Sequence, residues 1–227
     1  MTSEALTTER RPSLTKQRVL EAAVALADRD GIEALSMRRL GRELGVEGMA
    51  LYRYVRNKED LLDALADAVV GEIEVPYPAR DWQAAMRSLV MSARQVMLRH
   101  PWAPRVILDR PTVGPATLHH IDRVLGVLSA GGFSIEMAHH ALHVLGSRIL
   151  GFTQDPFNDT DDVRPEPEVA VQRARELAAV FPHVGELALA ATHEGALGGC
   201  DDDVEFEFGL DLIVDGLDRH RTGTPQA

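Results

Sequence analysis

The densest run of chemically active side chains lies at 36–58 and reads SMRRLGRELGVEGMALYRYVRNK. Six cations, Arg38, Arg39, Arg42, Arg53, Arg56 and Lys58, share it with Tyr52 and Tyr54. Such a stretch suits a polyanion, whose phosphates a basic surface neutralises. Other clusters offer less. All nine histidines lie at or beyond position 100; His139 and His143 sit one helical turn apart, and His119 has Asp122 nearby. Each pair supplies two ligands where zinc takes three or four, so no metal site is expected. Cys200 stands between Gly198-Gly199 and Asp201-Asp202-Asp203, and acidic neighbours disfavour a reactive thiolate. No phosphate loop, nucleophile elbow or paired-histidine metalloprotease motif is present, so neither an enzyme nor a cofactor is expected.

Charge is unevenly distributed. The 227 residues carry a net −11, but residues 10–58 hold 11 Lys+Arg against 6 Asp+Glu, a net +5, leaving −16 for the rest. A basic unit on an acidic body implies that one part meets a polyanion and the other does not. At 45% hydrophobic and 26% charged residues, the chain has the composition of a globular protein with a core. A single cysteine excludes an internal disulfide and any cysteine-rich zinc module. No apolar run approaches the ~20 residues of a membrane span. The polar start lacks an apolar signal core, so a cytoplasmic protein with no membrane partner is expected.

The elements that must position the basic run read as helices almost throughout, giving an all-α fold class. Thr15 caps a first helix, with Leu14 and Val19 spaced as a hydrophobic staple and Gly31 as the stop. Ser36 caps a second helix that Gly45 ends; a short third spans 47–55; Asn57 caps a fourth that runs to 75 before Pro76 and Pro78. In the body, Trp82, Met86, Leu89, Ala93, Val96 and His100 fall on one helix face. Pro101, Pro104, Pro111 and Pro115 break the chain repeatedly. Helices follow with Leu118, Ile121, Leu125 and Leu128, then with Ile135, Ala138, Leu142, Leu145, Ile149 and Phe152. The acidic, Pro-rich segment 155–167 predicts a mobile loop, 168–192 a helical pair, and Phe206, Leu210, Ile213 and Leu217 a last helix. The expected organisation is a flexible tail at 1–12, a DNA-binding domain with its connecting helix at 13–75, a ligand-binding and dimerisation domain at 76–220, and a flexible tail at 221–227.

Within 36–58, a capped helix, a glycine-centred turn and a second short helix have the layout of a helix-turn-helix. Leu40, Leu44, Leu51 and Val55 are spaced to pack the two helices together. The second could then enter a DNA major groove, although spacing of this kind is common to helical hairpins. The residues narrow the choice. With the words RVLEAAVALADRDG, LSMRRLGRELGV and ALYRYVRNKEDLL, residues 14–62 closely resemble the DNA-binding domain of the TetR family of bacterial transcriptional regulators. The resemblance implies that Glu47, Gly48, Met49 and Ala50 begin the recognition helix, followed by Tyr52, Arg53 and Tyr54. It implies that Arg38 reaches a base edge, where a bidentate guanine contact discriminates by ~1–3 kcal/mol. Tyr52 and Lys58 become phosphate contacts. Thr15 and Ser36 are open to two roles, helix caps or phosphate donors, and a solvated face is the alternative for Arg53 and Arg56. The apolar start of the recognition helix leaves base reading to Arg38, Arg53, methyl contacts and DNA shape.

Residues 82–155 more distantly resemble the ligand-binding domain of the tetracycline-repressor branch, through RVILDRPTVGPATL, VLGVLSAGGFSIEMAHHAL and LGSRILGF. That resemblance implies a homodimer on a palindromic operator, joined by helices 134–153 and 204–219 through Ile135, Ala138, Leu142, Leu145, Ile149, Phe206, Leu210, Ile213 and Leu217. Gly146 would allow close approach; the alternative for these rows is the chain's own core. It also implies a pocket for a small-molecule inducer, with candidate lining residues Trp82, Met86, Met97, His100, Trp102, Arg105, Leu118, His119, Asp122, Leu125, His143, Ser147 and Phe152. The branch's magnesium-binding histidine is missing: Ile107 and Leu108 occupy its neighbourhood, which argues against magnesium–tetracycline as the inducer. The function implied is a repressor released by an inducer; a non-inducible DNA-binding dimer or an activator is the alternative.

Overall fold

The computed structural model describes residues 13–76, 81–110, 112–151, 167–190 and 202–221. Phe152, Cys200, most of the segment 155–167, the tail 1–12 and the tail beyond Arg221 lie outside these residues. Every regular element described is helical.

Two compact units emerge: one of Met1–Glu72 with Arg99–Leu118, the other of Ile73–Leu98 with His119–Ala227. The single cut expected near Pro76 differs from this division, because 99–118 packs with the N-terminal residues. In the first unit, helix α1 (Lys16–Asp30) starts at Thr15, whose Oγ1 accepts from Arg18 N, and stops at Gly31. Helix α2 (Met37–Leu44) starts at Ser36, whose Oγ accepts from Arg39 N. Helix α3 (Lys58–Gly71) starts at Asn57, whose Oδ1 accepts from Asp60 N. All three side chains therefore act as helix caps, each satisfying an otherwise orphaned donor. Helix α3 ends four residues short of position 75, and Val75 instead joins the core of the second unit.

A helix absent from the sequence reading is α5 (Ala103–Asp109). The prolines suggested breaks there, yet Pro104 sits in the first turn, where its missing N–H costs nothing. Carboxylates of α1 and α3 hold the 99–118 segment. Asp28 Oδ1 accepts from Trp102 Nε1 at 2.7 Å and faces His100 Nδ1 at 2.8 Å. Glu72 accepts from Arg99 at 2.8 Å and faces His100 Nε2 at 3.3 Å. Both ring nitrogens of the buried His100 thus face carboxylate oxygens. Partial burial raises the affinity of Glu72 for a proton, but the bonds from Arg99 and His100 outweigh it and hold the carboxyl below its usual range. Asp67 accepts from Ala116 N, Thr117 N and Thr117 Oγ1, capping the start of α6 (Pro115–Ala130).

The second unit has one apolar core. It joins α4 (Trp82–Arg99) and α6 with α7 (Ile135–Gly151) and α10 (Asp202–Arg221). Trp82 meets Phe133 edge-on, 4.7 Å between ring centres. Phe206, almost wholly buried, lies between the guanidinium groups of Arg94 and Arg148, each 4.8 Å from its ring centre, a cation–π arrangement. Arg94 also pairs with Asp203 and donates to Asp202 O. Helices α8 (Pro167–Val180) and α9 (Pro182–Ala190) pack on one another.

The rows expected at a dimer interface belong largely to this core. Ala138, Leu145, Phe206, Leu210 and Leu217 are buried within the chain, and Leu142, Ile149 and Ile213 pack against them. Only Ile135 of that set is largely exposed, at 74%. The row is continuous because one chain's α7 and α10 need each other's apolar faces. On α6 the buried face is turned as well: Val124, Val127 and Leu128 are buried and Leu125 partly so, whereas Leu118 is exposed.

Candidate nucleic-acid interface

The region 36–58 folds as a helix, a tight turn and a short second helix. Gly45 ends α2 in the left-handed conformation at φ 68°, and its N–H donates to α2 carbonyls. Such a backbone favours glycine. The element after it, Gly48–Arg53, is a 3-10 helix rather than the α-helix expected over 47–55. It closes with i→i+3 bonds, Ala50 N to Glu47 O and Tyr54 N to Leu51 O, both 2.9 Å. Short helical pieces tolerate this tighter winding. Leu51 and Val55, almost wholly buried, anchor it inward beside Leu40.

Gly41 explains how the two helices come so close, and the sequence reading passed it over. A Cβ at Gly41 would stand 2.8 Å from Val46 O and 2.9 Å from Gly48 N. These are backbone atoms, which cannot swing aside. The carbonyl of Gly41 also accepts from Val46 N at 2.9 Å. The glycines at i and i+4 of α2, Gly41 and Gly45, were the available signal: one admits the crossing, the other makes the turn.

What remains outside is sorted by charge pairing. Arg29 bonds Glu43 and Asp30, Arg39 bonds Asp30, and Arg56 bonds Asp60. The Arg56 side chain, then its backbone N–H, hold the Asp60 carboxyl below its usual range. Arg38, Arg42, Arg53 and Lys58, by contrast, are exposed and make no ion pair among the described residues. Met49 is 76% exposed and Tyr52 44% exposed. Glu47 is exposed, while Gly48 and Ala50 are half-buried. Tyr54 is engaged otherwise: its hydroxyl donates to Leu14 O at 2.8 Å and ties the short helix to the start of α1. The result is a surface carrying four cations without an ion pair among the described residues, one thioether and one phenol. Exposed cations on a short helix are the groups by which helix-turn-helix proteins meet a DNA major groove.

Two family descriptions match the chain. Residues 19–65 match the bacterial regulatory proteins of the tetR family, and residues 75–221 match the tetracycline repressor-like C-terminal domain. The chain belongs to the TetR family. It is accordingly a DNA-binding transcriptional regulator with an N-terminal helix-turn-helix domain and a larger helical C-terminal domain. Among TetR-family relatives, it is 32% identical to the HTH-type transcriptional repressor DrrR1 of Streptomyces coeruleorubidus over 92% of this chain and 78% of that one. It is 28% identical to the class C tetracycline repressor protein of Escherichia coli, covering 93% and 94%. The TetR family protein ActR of Streptomyces coelicolor, solved in complex with actinorhodin, superposes with a TM-score of 0.75 at 30% identity, covering 93% of this chain and all of that one.

Trp82, Met86 and Met97 are buried in the second unit, where Leu125 is half-buried. His119, Asp122, His143 and Ser147 are exposed there. His100 and Trp102 belong to the first unit and are committed to Asp28 and Glu72. Arg105, also in the first unit, is exposed beside Glu33 and Asp109. His120, which no periodicity singled out, has a buried Nδ1 without a hydrogen-bond partner among the described residues. Burial, then the charge of Arg123, lowers its affinity for a proton. A neutral, unsatisfied imidazole nitrogen is a ready polar handle.

Proposed function

We propose that this regulator is a homodimeric repressor that binds a palindromic operator through 36–58 and is released by a small-molecule inducer held in its C-terminal domain. The observation carrying the first part is the separation of paired from unpaired cations: Arg38, Arg42, Arg53 and Lys58 are exposed without carboxylate partners among the described residues, while Arg29, Arg39 and Arg56 are paired. Arg38 and Arg53, with Met49 and Ala50, would face base edges; Tyr52 and Lys58 would face phosphates. Lys58 opens α3, where free backbone N–H groups also favour a phosphate.

The dimer draws support from what the core leaves outside. Ile135 and Val144 on α7, and Val204, Phe208 and Leu212 on α10, are all exposed. Val204, Phe208 and Leu212 recur every four residues along one side of α10, and an exposed apolar row marks an interaction surface. A symmetric pair also offers two reading ridges, ~34–36 Å apart on a two-fold site. The inducer rests on likeness to ActR, solved with actinorhodin, and on the match to the tetracycline repressor-like domain. Within that domain we assign contact roles to Trp82, Met86 and His120. DNA and inducer would each weaken the other's binding, as linkage requires. The 99–118 segment, held by Asp28, Glu72 and Asp67, is flanked in the chain by α4 and α6 and would carry that coupling. Such a regulator works in the cytoplasm.

The test is binding of the purified protein to fragments of its own promoter region over a range of salt. Saturable binding to a palindrome, weakening steeply with salt, is the expected result. Failure to bind any such fragment at low salt would overturn the reading.

A further inference from the structure

Arg42 is exposed and pairs with no carboxylate among the described residues, and neither the core nor the base-reading set uses it. Its place on α2 follows from the winding. Residues advance about 100° each, which sorts Met37–Leu44 onto four sides. Leu40 is buried and Leu44 half-buried. Gly41 meets the reading element, since a Cβ there would stand 2.9 Å from Gly48 N. Arg39 and Glu43 are braced against the end of α1, through Asp30 at 2.6 Å and Arg29 at 3.1 Å. Arg38 and Arg42 make the remaining row, about 160–200° round from Leu40 and Leu44. That row points away from the core and lies next to the crossing: Arg38 Cα is 3.4 Å from where a Cβ on Gly48 would stand. Like charges four residues apart on a helix repel, so an anion set against the row is favoured.

We propose that Arg42 grips a DNA phosphate beside the base that Arg38 reads, which makes the outward row of α2 a second line of contact with the duplex. The inference rests on the DNA-binding reading and deepens it. Position favours phosphate over a base: the first helix of a helix-turn-helix crosses the backbone while the second enters the groove. Arg42 stands about 6 Å along α2 from Arg38, so the two do not compete for one base. Its planar guanidinium offers paired N–H donors that match two phosphate oxygens. A cation in the last turn of α2 also suits the helix dipole. That role needs no DNA, which makes the two separable by measurement.

The experiment compares the full-length chain with R42A, R42K and R38A. It reads binding to fragments of the protein's own promoter region and to an unrelated duplex over a range of salt, with thermal melts alongside. R42A should weaken binding to both duplexes by the same factor and lower the slope of log affinity against log salt by about 0.9, the share of one phosphate contact. R42K keeps the slope, since the charge remains. R38A behaves differently and loses preference for the promoter fragment. An unchanged slope in R42A overturns the proposal, and a lower melting temperature with it assigns Arg42 to the helix dipole. Loss of preference in R42A, in place of a uniform loss, also overturns it and moves Arg42 to a base. A parent chain that binds no fragment at low salt brings down the DNA-binding reading itself, and the proposal with it.

Discussion

The reading ridge at 36–58 and the α7–α10 pair treat their side chains in opposite ways. In the first, backbone atoms make the tightest contact, at Gly41 and Gly48, and the functional groups stand outside it. In the second, large side chains make the contact, and the rows that looked available to a partner close on themselves around Phe206. A crossing of glycines leaves cations free for DNA; an interlocking of Phe and Leu leaves little of its main row for anything else. A pattern of apolar spacing tells which face is buried, but not against which chain.

Phe206→Ala gives the sharpest break of this comparison. Deleting a fully buried aromatic costs about 3–5 kcal/mol, and the loss should be independent of protein concentration in thermal melts. Phe208→Ser, at a 61% exposed neighbour, should leave the chain folded but lower its apparent mass by sedimentation if two copies meet there. Equal, concentration-dependent losses for both would return Phe206 to an interface.

Gly41→Val attacks the other region. Its branched side chain must displace Val46 O and Gly48 N, an overpacking worth about 1–3 kcal/mol. Circular dichroism melts should register it, and operator binding should fall more than stability alone explains, because the ridge itself is re-aimed.

Arg38→Ala tests the charge sorting with the fold untouched. A base-reading arginine lost here should weaken operator binding by about 1–3 kcal/mol and relax one position of the site. Arg56→Ala, whose partner is Asp60, should weaken binding far less. A comparable loss from both, measured by fluorescence anisotropy, would end the distinction between paired and unpaired cations.

The smallest effect concerns acid. The Glu72 carboxyl titrates below its ordinary value of 4.5 in the folded chain. Its contribution is therefore complete above about pH 4.5 and is lost as pH falls through the lower folded value. Glu72→Gln should flatten the stability–pH curve below that point and leave the curve above it parallel to the parent's.

Much of the first unit was legible because its signals are chemical. Thr15, Ser36 and Asn57 are cap residues by type, Gly45 is a turn residue by type, and each does what its side chain or its lack of one allows. The length of α3, the 3-10 winding at Gly48–Arg53 and the existence of α5 were not legible, since each depends on tertiary packing. Pro104 reads as a breaker until one knows it opens a helix. His100 continued the α4 stripe by spacing, yet it bonds Asp28 and Glu72, residues 72 and 28 positions away. Pocket lining is not legible in this way, because apolar periodicity cannot separate a residue lining a cavity from one filling it.

Where two helices cross at a glycine and are anchored inward by Leu40, Leu51 and Val55, the outward positions are free of structural duty. On the proposed reading, exchanging Arg38, Met49 or Arg53 would alter what the ridge recognises without disturbing the joint beneath it. The pinch at Gly41 thus makes the N-terminal domain an interchangeable tool head: its target can drift, or be re-engineered, one side chain at a time.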